Sequence, residues 1–152
     1  MTTLLAQPAF QLYALCSAVL VVILYALGFI TAKTRAESLK LINPEDVGVN
    51  PKGAVVVEVE SAAVQRVKRA HQNALENAVP FFVIGLLYTQ TNPSMMWLRI
   101  FFFTFLAVRT AHAAFYLTAK QPFRTLSFGI GAVINLAMAV QVIREVASSL
   151  MA

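Results

Sequence analysis

Two short sets of polar residues stand where apolar ones would be expected. Arg66, Arg69, Asn73 and Glu76 follow one another at intervals of three, four and three, and Arg109, His112 and Tyr116 at three and four. Such spacings gather each set on one helix face. Guanidinium forks bind carboxylates and phosphates bidentately, so the pattern suggests chemistry on a small anion. Farther on, Arg124, Thr125 and Ser127 follow Pro122. Hydroxyls and free backbone N–H groups at a helix N-terminus favour negative charge, and a thiolate placed there would be stabilised. The plainer reading is that Thr125 caps the helix.

The elements that carry these residues must be membrane helices. Of 152 residues, 59% are hydrophobic and only 12% charged, with a mean hydropathy of +0.70, which excludes an ordinary soluble enzyme. A spanning helix needs about 20 mostly apolar residues, so four spans and their connections consume the chain as a single domain, 1–152. The formal charge of +5 points to anionic lipid, cytoplasmic loops or an acidic small molecule rather than nucleic acid, whose binders display a dense basic face. Cys16 is the one cysteine, so neither an intrachain disulfide nor a cysteine-based metal site is expected. No metal-binding HExxH arrangement, phosphate-binding glycine loop or Ser-His-Asp set is evident.

Spans are expected at about 9–30, 69–90, 95–118 and 125–146. The first 11 residues hold no Lys or Arg, so a cleaved signal peptide is not expected. Residues 31–68 read as an irregular loop outside the hydrocarbon, with turn signals at Asn43-Pro44 and at Asn50-Pro51-Lys52-Gly53. The valines of Ala54 to Val59 are strand-like but have no evident partner. Pro80 is expected to kink the second helix. Seven of the twelve Lys and Arg residues lie between Lys33 and Arg69, and Lys120 and Arg124 lie in the third connection. Loops one and three should therefore face the cytoplasm.

An ionisable residue inside a span costs at least about 2.5–3.5 kcal/mol, so each needs a partner or a task. Glu76 lies about 10 Å from the cytoplasmic start of its helix and Arg109 about 13 Å from the cytoplasmic end of the next, at about 1.5 Å per residue. The two should face one another, either as an ion pair fixing helix register or within a site. Arg35, Arg69, Arg109 and Arg124 set several guanidiniums against this single intramembrane carboxylate, a surplus that asks for an anion with more than one acidic group. His71 reads as a headgroup-facing side chain, and Tyr13, Tyr25 and Trp97 as belt or packing residues. Tyr116 reads equally as a belt tyrosine or a hydrogen-bond donor in the site. Phe101 to Phe103 read as packing or lipid-facing surface, or as the wall of a route for an apolar substrate.

Four segments taken in order carry a resemblance: Asn43-Pro44-Glu45-Asp46; Arg69-Ala70-His71-Gln72-Asn73 with Glu76-Asn77 and Pro80-Phe81; Arg109 with His112 and Tyr116-Leu117; and Gln121-Pro122-Phe123-Arg124-Thr125-Leu126-Ser127-Phe128. The set resembles the MAPEG family, the membrane-associated proteins of eicosanoid and glutathione metabolism. The resemblance implies a homotrimer of four-helix subunits in a bacterial inner membrane or the endoplasmic reticulum. Glutathione would bind between subunits near the cytoplasmic face, with a lipophilic electrophile or lipid hydroperoxide entering from the membrane lipid. Glutathione contacts would fall on Arg35, Arg69, Asn73, Glu76, His112, Tyr116 and Arg124, with Gln72, Ser127 and Phe128 at neighbouring binding positions. Arg109 matches an arginine implicated in thiolate chemistry in the transferase branch, and Thr125 stands where the isomerase branch has a serine.

Three departures weigh against the prostaglandin E synthase branch. Gln72 stands where that branch has arginine, Ala74 replaces a common acid, and Phe128 lacks a tyrosine hydroxyl. The wording around Arg124 is closer to the microsomal glutathione transferases. The expectation is therefore a membrane glutathione transferase with Arg109, Thr125 and Arg124 acting on the thiol, and peroxidase activity on lipid hydroperoxides as a second expected activity. An eicosanoid isomerase and a non-enzymatic transporter or lipid-binding partner are the rivals.

Overall fold

The structure is a computed structural model that describes residues 4–50 and 53–152. Four long helices carry nearly all of it: α1 (Pro8–Ser38), α2 (Ala62–Thr89), α3 (Met95–Leu117) and α4 (Phe123–Leu150). Three of them, α1, α3 and α4, are long and apolar enough to cross a membrane. The remaining expected span, α2, has 28 residues and holds the polar stripe.

Three of the helices, α1, α2 and α4, outrun their expected spans at the basic end, while α3 keeps to its own within a residue. α1 continues to Ser38, eight residues past the point where a loop was expected, because a charged side chain ends the hydrocarbon and not the helix. Ala, Lys, Arg and Glu are good helix formers, and Lys33 pairs with Glu37 one turn on at 3.8 Å. Leu39 then stops the helix in the left-handed region at φ 52°, its N–H donating to the Ala36 carbonyl. α2 starts at Ala62, where the Ser61 hydroxyl accepts from the Val64 N–H at 3.4 Å. α4 starts at Phe123 with no side-chain cap; Thr125 lies inside the helix and does not cap it.

The first connection is more ordered than expected. The valines do find a partner: a two-residue strand β1 (Lys40–Leu41) pairs in parallel with β2 (Val55–Val56), through Val55 N–H to the Leu39 carbonyl at 2.9 Å and Val57 N–H to the Leu41 carbonyl at 2.7 Å. A two-turn 3-10 helix, Pro44–Val49, supplies the crossover. Of the second turn signal, Pro51 and Lys52 lie outside the described residues, and Gly53 has φ 101°, a conformation only glycine adopts without strain.

Aromatic packing holds the helices together. Phe81 of α2 stacks on Phe105 of α3 with centroids 4.5 Å apart and meets Phe102 edge-on at 5.2 Å. Cys16, Leu20, Leu98, Ile134 and Met138 fill the rest of this core. The Phe run thus divides: Phe102 is buried and Phe103 exposed. Tyr13 is a packing residue, its hydroxyl donating to the Phe82 carbonyl at 2.8 Å. A smaller cluster of Leu27, Ala70 and Ala113 seals α1, α2 and α3 beside Tyr116 and Leu117. Val133, Leu136, Val140 and Ile143 leave an apolar stripe exposed along α4, spaced at three, four and three, as suits a helix facing hydrocarbon or another subunit.

Candidate functional site

The late turns of α1 and α3 and the early turns of α2 and α4 meet at one end of the bundle. Arg109 is only 4% exposed. Its Nη2 donates to the Asn73 side-chain oxygen at 2.8 Å and to the Asn73 carbonyl at 3.4 Å. The polar stripes of α2 and α3 therefore meet, but through Asn73. Glu76 does not face Arg109: it is exposed, and its carboxylate accepts from the Gln72 amide at 3.0 Å. The reason is angular. Three residues turn a helix about 60° short of a full circle, which carries Glu76 from the edge of the buried face, where Asn73 sits, out onto the surface. Among the described residues Arg109 has no carboxylate within ion-pair distance, and its Nε and Nη1 are buried without a partner.

His112, one turn on, is 3% exposed. Its Nδ1 lies 2.9 Å from the Arg124 carbonyl, an acceptor only, so the ring proton sits there and a neutral imidazole carries its lone pair on Nε2. That Nε2 is buried and unpartnered. The Ser127 hydroxyl lies 3.3 Å from the same Nδ1 and donates back to the Phe123 carbonyl at 2.8 Å. The Phe128 ring flanks His112 at 6.1 Å.

Arg124 lies over the Tyr116 ring, 4.7 Å from its centroid. With the Gln121 amide turned to face it, Nη2 and Nε of Arg124 donate to the amide oxygen at 2.6 and 3.1 Å, and the amide nitrogen donates to the Thr125 hydroxyl at 3.1 Å. Thr125 is exposed and opens on an apolar groove of about 560 Å³ between α3 and α4, lined by Ile100, Thr104, Leu126, Gly129 and Ile130 among others.

Arg35 departs from expectation, because it is not a spare cation. Its Nη2 and Nε reach Glu60 Oε1 at 2.7 and 2.9 Å, and Lys68 reaches Glu60 Oε2 at 2.7 Å. Glu60, whose side chain is 4% exposed, is the buried carboxylate that sequence reasoning missed. Burial alone would raise its carboxyl, but the hydrogen bonds and charges of Lys68 and Arg35 outweigh that and hold it below the usual carboxylate range. Arg69 lies outward with Gln65 at 3.4 Å, on the same exposed edge as Gln72 and Glu76.

The named residues thus divide into an inward group, Arg109, Asn73, His112 and Ser127, and an outward group on α2, Arg69, Gln72 and Glu76. Asn77 and Asn135, two further interior amides, were also missed as site residues. Asn135 alone interrupts the apolar run of α4 from Gly129 to Val140, which is the signal that would have found it.

Fold and site define a helical integral membrane protein in which, among the described residues, an arginine buried between helices has no carboxylate partner. A model of the MAPEG family matches residues 13–144, and the chain belongs to that family. It is 39% identical over 118 residues to microsomal glutathione S-transferase 1 of Rattus norvegicus, covering 76% of each chain. It is 32% identical over 146 residues to prostaglandin E synthase of Equus caballus, covering 95% of this chain and 92% of the other. To the Homo sapiens prostaglandin E synthase it is 31% identical over 149 residues, covering 96% and 95%.

Proposed function

We propose that this protein is a membrane-bound glutathione transferase that joins the glutathione thiolate to lipophilic electrophiles. The observation that carries the reading is Arg109: a guanidinium with no carboxylate partner among the described residues and two nitrogens unspent. A buried cation of this kind is expensive and is offset when an anion binds beside it. The N-terminus of α4, whose first turn carries no acidic residue, adds its dipole. Together they would depress a thiol's pKa, as cationic and dipolar surroundings do.

Arg69 and Arg124 would take glutathione's carboxylates, and Glu76 its amine. Arg35 is engaged by Glu60 and contributes at most a remaining N–H. The thiolate sulfur would then attack an electrophilic carbon and expel its leaving group, or attack the terminal oxygen of a hydroperoxide, breaking the O–O bond to release the alcohol and leaving a glutathione sulfenic acid that a second glutathione converts to the disulfide and water. The groove beside Thr125 would hold the apolar partner, and much of the rate gain would come from proximity. The division of the named residues into inward and outward groups supports an assembly in which the α2 edge of one subunit faces the site mouth of the next, and the family resemblance implies that it is a homotrimer with the site on the cytoplasmic side.

Titrating detergent-purified protein with glutathione and following the ultraviolet absorbance of thiolate tests the reading. Saturable thiolate formation and conjugation of a halo-nitroaromatic are expected; no binding would leave the transporter or lipid-binding readings. The long match to prostaglandin E synthases favours endoperoxide isomerisation as the second reading, and turnover of an endoperoxide against the nitroaromatic separates the two.

A further inference from the structure

The interior amides of α2 and α4 form a chain that ends on Arg109. Asn135 of α4 donates from Nδ2 to the Asn77 carbonyl of α2 at 3.4 Å, and Asn77 Nδ2 donates to the Asn73 carbonyl at 2.9 Å. The Asn73 carbonyl and side-chain oxygen are the acceptors of Arg109 Nη2. One turn before Asn135, Gly131 makes room for the arginine: a Cβ there would lie 3.1 Å from Arg109 Cδ. α4 thus touches Arg109 directly through Gly131 and indirectly through Asn135.

We propose that Asn135 and Asn77 are positioning residues, which hold Asn73 so that Arg109 presents its free nitrogens to the bound thiolate. The proposal rests on the transferase reading. Its chemical sense lies in the neutrality of the chain. A carboxylate at any link near the guanidinium would orient it and also cancel its charge, whereas amides orient it and leave the charge for an incoming anion. Amides serving only as helix glue would find one another; here both donors go to backbone carbonyls on successive turns of α2, and the second carbonyl is one that Arg109 also uses.

The test replaces Asn135 by Leu, which keeps the volume, and by Ala, which reduces it, so that whichever variant folds in detergent carries the measurement. Asn135→Gln restores the donor. Read together are melting temperature, glutathione KM, kcat and thiolate absorbance on mixing. The expected result is a kcat lower by on the order of tenfold with a parallel loss of thiolate signal, unchanged KM, and partial rescue by Asn135→Gln. A wild-type thiolate signal matched by that of Asn135→Leu would overturn the proposal alone, as would a fall in kcat with the thiolate signal intact. Absence of the signal in the wild-type protein would remove the transferase reading, and this proposal with it.

Discussion

On the transferase reading Arg109 is the residue on which the chemistry turns, and its neighbours set what substitution there should do. Replacing it by Ala removes a buried cation beside the site, so conjugation should fall on the order of a hundred- to a thousandfold, as when a transition-state donor is lost. The thiolate absorbance should vanish while assembly persists, since the core around Phe81 and Phe105 does not include it. Asn73→Asp probes the same atom in reverse. It would place a carboxylate 2.8 Å from Nη2, so heat resistance should be kept or raised while the thiolate signal collapses; a variant that keeps full signal would contradict the electrostatic account. Three-and-four spacing made the meeting of α2 and α3 legible in the sequence. It failed on the partner, because the choice between Asn73 and Glu76 depends on about 60° of helix rotation that spacing alone does not resolve. Asn135 left a signal as a lone polar residue in an apolar run but was missed, and its acceptor left no signal at all.

At the scale of elements, Glu60 ties the end of α1 to the start of α2. Because its carboxyl is held below the ordinary range, its contribution is complete above the unfolded carboxylate value, about 4.3, and is lost as pH falls through the lower folded value. Glu60→Gln should lower the melting temperature in detergent at neutral pH. The gap from wild type should narrow as the pH is taken below about 4.3; a gap independent of pH would show that charge is not what the carboxylate supplies. The four helices were legible from apolar run lengths, but their ends were not. Beyond the hydrocarbon a helix stops where capping and backbone conformation stop it, as at Leu39 and Ser61, and hydropathy is silent on both. The pairing of Lys40–Leu41 with Val55–Val56 was equally hidden, since two residues on each side leave no periodicity to read. The α3–α4 groove offers a separate check. A Cβ at Gly129 meets nothing within 4 Å, so Gly129→Leu should fold, raise KM for bulky electrophiles and leave glutathione binding unchanged.

For the whole molecule the question is whether one chain suffices. Arg69, Gln72 and Glu76 lie on an exposed edge of α2 away from Arg109, so a complete site on our reading draws on two protomers. Glu76→Gln and Arg109→Ala proteins, each expected to be weak alone, should recover conjugation when coexpressed, because mixed assemblies contain some junctions with neither change. Failure of coexpression to exceed the sum of the single variants would place the whole site within one chain.

The length of α1 has a further bearing on how such an assembly meets its reactants. At 31 residues it is about 46 Å long, against an oily layer about 30 Å thick, so its charged final turns, which hold Lys33, Arg35 and Glu37, would reach the level of phosphates and glycerols. A reactant dissolved in water and one dissolved in fat need not cross into each other's phase to collide there. On the transferase reading, the site would lie where their solubilities overlap.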